Sequence, residues 1–553
     1  MKIFADERTK REKTAKRLEK FRNEQPPERV FAEYRKGIDY KSNAGIYENA
    51  KKYENFFLGK QWEGVNAPSM DKPVFNILKR VINYFIANLV SDNIAMNLKL
   101  INREEDEITK IYLDAVKKQI ELTMERGKFS QKTRKALRDA AVMGDGCMHI
   151  YYDPSMKTGH AGEEGAQAIE VISSTDVMFG NPMSAEVQEQ PYIIIGMRRT
   201  RQSVIEELEA AGKAGLIDSV IPDGAENPTT QEEDDLFNDK VTVLIKYWKI
   251  HGRVYFTKVI KNAVITEPTD TGMGMYPICY MNWETRRNSM HGVGLIEGLV
   301  PNQIAINKLA AMAFHFIKQQ AFPRIVYDKT KLHAWENGMK PIGVNGSPGD
   351  VVGRAGAPQD MSQYVPLFFD KFVETTRDLM GASDAALGNV NPNNTSAIIA
   401  VQKATAVPLE LVKQEYYQFI EDFVRISIEM MGAYYGKRTI LVEDEEGGTS
   451  EQPYDFAQLA DMVFSLGIDI GATSYWQETT DVQTLDNLRK AGILDDLTYV
   501  ESLPAHNVPN RAKIIAKLKE RVGAEQALAQ EQQADSELGA IANEELGAMN
   551  TQI

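Results

Sequence analysis

The sequence predicts an α+β protein, mostly helical, with β-rich segments set between helical parts. Three observations carry this. Residues 47–143 read as successive helices; residues 147–266 read as short β-branched and aromatic runs separated by turns; residues 292–435 return to long helices, interrupted by short strands and a polar loop.

Taken in order, residues 9–22 read as a charged helix ended by Pro26-Pro27, and a second helix over 47–58 stops at Gly59. Pro73 is suited to a helix start, so an amphipathic helix is expected over 74–90. Two more follow over 104–126 and 129–143, after which Gly144-Asp145-Gly146 breaks the pattern and Cys147 to Tyr152 is strand-like. Strands are expected over 168–173 and 192–200, then a short helix over 203–211 and a loop over 222–239. A meander follows over 241–250, 253–260 and 263–266, with turns at His251-Gly252 and Lys261-Asn262.

Residues 292–319 read as one helix in spite of Pro301, spanning roughly 40 Å at the usual rise. Residues 322–357 hold short strands (324–327, 342–344, 350–352) and Gly/Pro turns, and a helix over 361–380 ends at Gly381. Gly388-Asn389-Val390-Asn391-Pro392-Asn393-Asn394 cannot continue a helix and reads as a polar loop. Thr395 then caps a helix of about 40 residues, kinked at Pro408. The tail brings a strand over 439–442, helices near 479–490 and 511–523, and an Ala/Glu/Gln-rich end.

Composition narrows the function classes. The N-terminus alternates charges and lacks an apolar run, so no secretory leader is expected. Cys147 and Cys279 are far apart and lack metal-ligand neighbours, which argues against a disulfide scaffold or a zinc site. The apolar stretch 295–317 is long enough for a membrane span, but Glu297, Gln303, Asn307 and Lys308 within it favour a helix buried between protein neighbours. Charge is unevenly placed. Residues 441–553 hold 21 Asp/Glu and 7 Lys/Arg, leaving 57 of each sign in residues 1–440, so the whole net charge of −14 lies in the last fifth of the chain. A chain without a basic excess does not grip nucleic acid tightly.

The motifs of catalysis are missing. There is no Gly-x-x-x-x-Gly-Lys-Ser/Thr, no Gly-x-Gly-x-x-Gly and no Gly-x-Ser-x-Gly, and no cofactor is expected. His149, in a strand between apolar neighbours, reads as a hydrogen-bonded core histidine. The runs Glu443 to Glu446 and Asp495-Asp496 could serve a metal-dependent nuclease, but a solvated turn and a helix-start acidic pair explain them more simply. Arg198, Arg199, Arg201, Arg286 and Arg287 are too few for a DNA patch and suit salt bridges, subunit contacts among them.

Local sequences resemble those of phage portal proteins, the head-to-tail connector rings of tailed bacteriophages. Phe57-Leu58-Gly59-Lys60-Gln61-Trp62 resembles an aromatic-Gly-x-Gln-Trp stretch of that family, and Gly144-Asp145-Gly146 another recurring feature. Gly292-Val293-Gly294 with Val300, Asn302, Gln303, Ile306 and Asn307 is similar to its first stem helix. Gly381, Leu387-Gly388 and Thr395-Ser396-Ala397-Ile398 resemble the approach to and exit from its tunnel loop, and residues 476–493 its C-terminal helix-turn. The order of helix, β excursion, helix, loop and very long helix matches stem, clip, stem, tunnel loop and wing.

The resemblance implies a portal fold: a charged arm (1–46), a wing (47–291 and 399–470), stem helices (292–321 and 358–381), a clip (322–357), a tunnel loop (382–398) and an acidic crown (471–553). It implies no catalysis and a homo-oligomeric ring of twelve at one capsid vertex of the virion, assembled in the host cytoplasm. Double-stranded DNA would pass Asn389, Asn391, Asn393 and Asn394, and Lys329, Lys331 and Lys340 would face docking partners. Terminase, capsid, scaffolding, adaptor and tail proteins are the implied partners, and a membrane is not among them. An adaptor or tail-tube ring component is the alternative, and a metal-dependent nuclease a distant third.

Overall fold

The computed structural model describes residues 24–68, 70–90, 94–101, 107–157, 164–229, 239–321, 325–331, 352–354, 364–379, 409–443, 449–470 and 475–503, with a few isolated positions up to 521. The chain divides into two compact units, residues 1–440 with 452–471, and residues 441–451 with 472–553.

Among the described residues the first unit opens with α1 (Pro27–Asn43) and α2 (Ile46–Leu58). Pro27 sits in the first turn of α1, where its missing N–H is no loss; the helix expected over residues 9–22 lies outside the described residues. Gly59 ends α2 at φ 89, a left-handed position that glycine occupies without strain. Then follow α3 (Ile77–Leu89), β1 (Ile94–Leu100), α4 (Glu107–Arg126) and α5 (Phe129–Met143). The expected start of α3 at Pro73 is not observed; Asn76 is the cap, accepting from Lys79 N at 3.1 Å.

The β-rich part comprises β2 (Asp145–Lys157), β3 (Glu164–Ile172), β4 (Val177–Phe179), β5 (Tyr192–Thr200), the helix α6 (Arg201–Ala210), β6 (Lys240–Ile250), β7 (Arg253–Ile260), β8 (Ala263–Asp270) and β9 (Ile278–Asn282). Two antiparallel sheets result, ordered β3-β2-β9 and β4-β5-β6-β7-β8. The period-two pattern sorts the faces. Met148, Ile150, Cys279 and Met281 of the smaller sheet join the helical core, whereas Cys147, Ile278 and Tyr280 join Ile193, Ile195 and Tyr247 of the larger sheet. Cys147 lies opposite Tyr280 and Cys279 opposite Met148, so the two buried thiols occupy opposite faces of one sheet and cannot bridge. The other face of the larger sheet packs on α1 through Ile194, Leu244 and Val259.

The helical return begins with α7 (Val300–Ala321), then β10 (Ile325–Tyr327), β11 (Val352–Arg354), α8 (Tyr364–Leu379) and α9 (Glu410–Tyr434). α7 starts at Val300 rather than near Gly292, so Pro301 falls in its first turn and breaks no helical hydrogen bond. α9 is described from Glu410 onward; the expected cap at Thr395 and kink at Pro408 lie outside the described residues. Its buried face, including Phe419, Phe423 and Met431, completes the helical core. β12 (Lys437–Glu443) pairs with β13 (Thr449–Asp455), and β14 (Phe464–Ile470) pairs antiparallel with the distant β1. The second unit holds α10 (Tyr475–Lys490) and α11 (Asp496–Ser502), where Asp496 in the first turn pairs with Arg489 at 2.8 Å. Among the described residues no helix is long and apolar enough to cross a membrane.

Candidate channel and docking segments

α7 and α8 pack against each other, and the β10–β11 pair lies between them in the chain with register Ile325↔Arg354 and Tyr327↔Val352. Ile306, Ala310 and Ala311 of α7 are buried, but Met312 is 54% and Leu367 on α8 67% exposed, with Phe314, Ile317 and Phe368 exposed beside them. Past β10, Asp328 Oδ1 accepts from Thr330 N at 2.9 Å and Thr330 Oγ1 at 2.6 Å, a tight polar turn that leaves Lys329 and Lys331 exposed. Lys331 reaches back to Asp328 at 4.0 Å. Lys340 and the four loop residues Asn389, Asn391, Asn393 and Asn394 lie outside the described residues.

Two buried polar nodes tie the approach to α7 and its first turns to the body, and each joins segments far apart in sequence. In the first, Gln303 Nε2 donates to Phe75 O at 2.6 Å and to Asn307 Oδ1 at 3.1 Å, while Gln303 Oε1 accepts from Ile77 N at 3.3 Å. Asn307 Oδ1 accepts from Phe75 N at 3.2 Å, and Asn307 Nδ2 donates to Gln61 Oε1 at 2.5 Å. Gln61 Nε2 donates in turn to Phe56 O at 2.9 Å. Gln303 and Asn307, four apart, share one helix face, and both are buried. The side chain of Gln303 thus gives the Ile77 amide at the start of α3 a second acceptor beside Phe75 O, which lies at 2.9 Å.

In the second node, Asp145 at the head of β2 is fully enclosed. Its Oδ1 accepts from Gly292 N at 2.7 Å and Asn282 Nδ2 at 2.8 Å, and its Oδ2 pairs with His291 Nδ1 at 2.7 Å. Burial alone would raise this carboxyl; His291 and the Gly292 amide outweigh it and hold it below the usual carboxylate range. Backbone contact makes the glycines necessary. A Cβ on Gly144, at φ 104, would stand 2.7 Å from Gly292 O, and one on Gly292 would stand 2.7 Å from Glu284 O.

The structure therefore brings Gln61 to Gln303 and Asn307, and Gly144-Asp145-Gly146 to Gly292. Asn76, Asn282 and His291 are functional members that sequence reasoning missed. Asn76 carried a readable sign, a capping residue before an apolar run; the other two carried none.

The remaining candidates serve the fold. His149 Nε2 meets Tyr247 Oη at 2.8 Å, and burial, with Lys258 nearby, pushes its pKa down to about 3. Four of the five arginines find partners within the chain: Arg198 with Asp223 at 2.5 Å, Arg199 with Glu207, Arg201 with Val220 O at 3.0 Å, and Arg286 with Glu297 at 3.1 Å. Among the described residues no group of three His, Cys, Asp or Glu is placed to hold a metal ion. Asp444, Glu445 and Glu446 of the acidic run lie outside the described residues.

The described residues form an α+β body fastened through buried amides and a buried carboxylate to a packed pair of long helices, with a small strand pair between them in the chain. Residues 200–552 match the family model of phage P22-like portal proteins, which is well over half of the chain, and the chain belongs to that family. A search of curated proteins found no match. As a portal protein it is a structural component of the virion, an oligomeric ring at the capsid vertex that serves as the channel for DNA and as a docking platform in packaging.

Proposed function

We propose that twelve copies close into the ring and that the parts of the chain divide its tasks as follows. Residues 1–46 form an arm, 47–291 and 399–470 the wing, and 471–553 an acidic crown. α7 and α8 form the stem (292–321 and 358–381), and 322–357 the clip. Residues 382–398 form the tunnel loop, with Asn389, Asn391, Asn393 and Asn394 toward DNA. Lys329, Lys331 and Lys340 of the clip face terminase during packaging in the host cytoplasm and adaptor or tail proteins afterwards.

The observation that carries this reading is the packed pair α7–α8, interrupted in the chain by the β10–β11 pair and exposing large apolar side chains. A ring needs heterologous contacts that close by rotation, and an apolar helical face left exposed among the described residues suits contact with a neighbouring copy. A channel must pass DNA without holding it. Each added cation pairs with a phosphate and adds salt-dependent affinity, so neutral asparagines at the narrowest point suit passage. The role asked of the chain is mechanical, with no catalytic step of its own.

Negative-stain microscopy and mass photometry of the purified protein test the reading. The expected result is a ring with a central hole and a mass near twelve subunits; monomers and dimers alone at micromolar concentration, across several salts, would refute it.

A further inference from the structure

We infer that the Gln61–Gln303–Asn307 node sets the rotation of the stem on the body and thereby the number of copies that close the ring. The inference rests on the ring reading above. Three amide side chains occupy a site that is 0–8% exposed, where apolar side chains of similar volume would cost no polar desolvation. Buried polar groups of this kind add little net stability, and what they supply is direction. Gln303 bridges Phe75 O and Ile77 N, while Asn307 holds Phe75 N and Gln61 together, so every amide end is satisfied in one arrangement. Sliding α7 by one residue turns it by about 100° and removes both side chains from their partners. Apolar contact is non-directional and would tolerate several nearby rotations.

Small rotations matter in a closed ring. Neighbouring copies turn by about 30° in a ring of twelve and about 28° in one of thirteen, so a tilt of roughly 2° in the wedge between copies separates the two closures. The node stands where such a tilt is controlled, because it joins the first turns of α7 to the stretch 56–77 of the body. Gln61, Gln303 and Asn307 are positioning residues in this sense.

The test uses the full chain with Gln303→Met and, separately, Asn307→Leu. Both keep the local volume, and Ile77 N retains its bond to Phe75 O at 2.9 Å, so the subunit should fold. Native mass spectrometry should then show rings of at least two copy numbers where the parent shows one. Exchanging the partners, Gln61→Asn with Asn307→Gln, preserves the combined reach of the pair and should restore a single copy number, which a merely structural role would not require. Should either first variant fail to fold, Gln61→Met removes only the edge of the node, and Asn76 still donates to Phe56 O at 3.2 Å. Rings of one unchanged copy number in the folded variants overturn the inference, as does unfolding of all three, which would make the node a stability element. A parent chain that forms no ring removes the ring reading and the inference together; a parent ring with unaffected variants removes the inference alone.

Discussion

Asp139 and Asp176 stand under the opposite influence to Asp145. Burial pushes each carboxyl up to about 6, against the lowering effect of Arg138 on the first and of Lys41 and Asn227 on the second. A carboxyl whose folded pKa lies above its unfolded value binds more protons in the folded state between about pH 4 and 6. Its contribution to stability is therefore full below pH 4 and is lost as the pH rises through 6. His149 has the reverse sign in an overlapping window: its folded pKa of about 3 lies below the unfolded value, so its contribution is lost as the pH falls. Comparing a variant with its parent isolates one group. Asp139→Asn should leave the thermal midpoint near the parental value at pH 4 and raise it at pH 7.5, by the equivalent of roughly 2–3 kcal/mol for a shift of this size. Parallel pH profiles for the two proteins would show that Asp139 does not titrate as its surroundings imply.

At the scale of elements, β2 and the approach to α7 are locked by close backbone contact as well as by the Asp145 carboxylate. Gly144 O accepts from Trp283 N at 2.9 Å, and Gly144 itself leaves no room for a side chain beneath Gly292 O. Gly144→Ala combines a left-handed backbone that alanine resists with an overlap that only backbone movement can relieve. It should destabilise the first unit by more than about 2 kcal/mol, read as a lowered denaturation midpoint. Gly212→Ala is the control: its φ of 69 is also left-handed, but nothing lies within 4 Å of the added carbon, so its cost should be the smaller by the steric part. Equal losses from both substitutions would locate the cost in conformation and not in the contact with Gly292. The element pattern itself was largely legible. The bounds of β5 and β7 follow from the run of β-branched and aromatic residues, and the ends of α2 and α5 from Gly59 and Gly144. β1 and β14 were missed although each alternates, since seven residues of alternation form a strand only when a partner is available, and here the partner is some 370 residues away.

For the whole molecule the governing feature is charge. Residues 1–440 carry equal numbers of acids and bases, and the net charge of −14 belongs to the rest of the chain. With Asn391 proposed at the channel, Asn391→Lys would add a cation per subunit to a segment, 382–398, whose sequence holds no Lys or Arg. DNA packaging should slow at low ionic strength and recover in part as salt rises. In the same packaging assay Lys329→Glu with Lys331→Glu, at the proposed docking surface, should weaken terminase docking whatever the salt dependence of passage, because those side chains are exposed on a turn apart from the proposed channel loop in sequence. Rates equal to the parent's across a salt series for Asn391→Lys would place that loop away from DNA.

Local pattern determined much about this protein: the α+β class, most helices and strands of the body, the neutral body with an acidic end, and the ordered set of segments that pointed to a portal protein. Each of these depends on neighbours in the chain, where periodicity and turn chemistry act directly. The tertiary structure decided what local pattern cannot hold. Gln61 and Asn307 are 246 residues apart, Asp145 and His291 146, and no spacing announces that their hydrogen bonds meet. It also decided that α7 does not begin near Gly292, since Gly292 and Gly294 are drawn into the contact with Gly144 and Asp145 instead of joining the helix. A backbone amide satisfied by a distant carboxylate is no longer available to a helical turn, and that competition is settled only when the two segments are packed together.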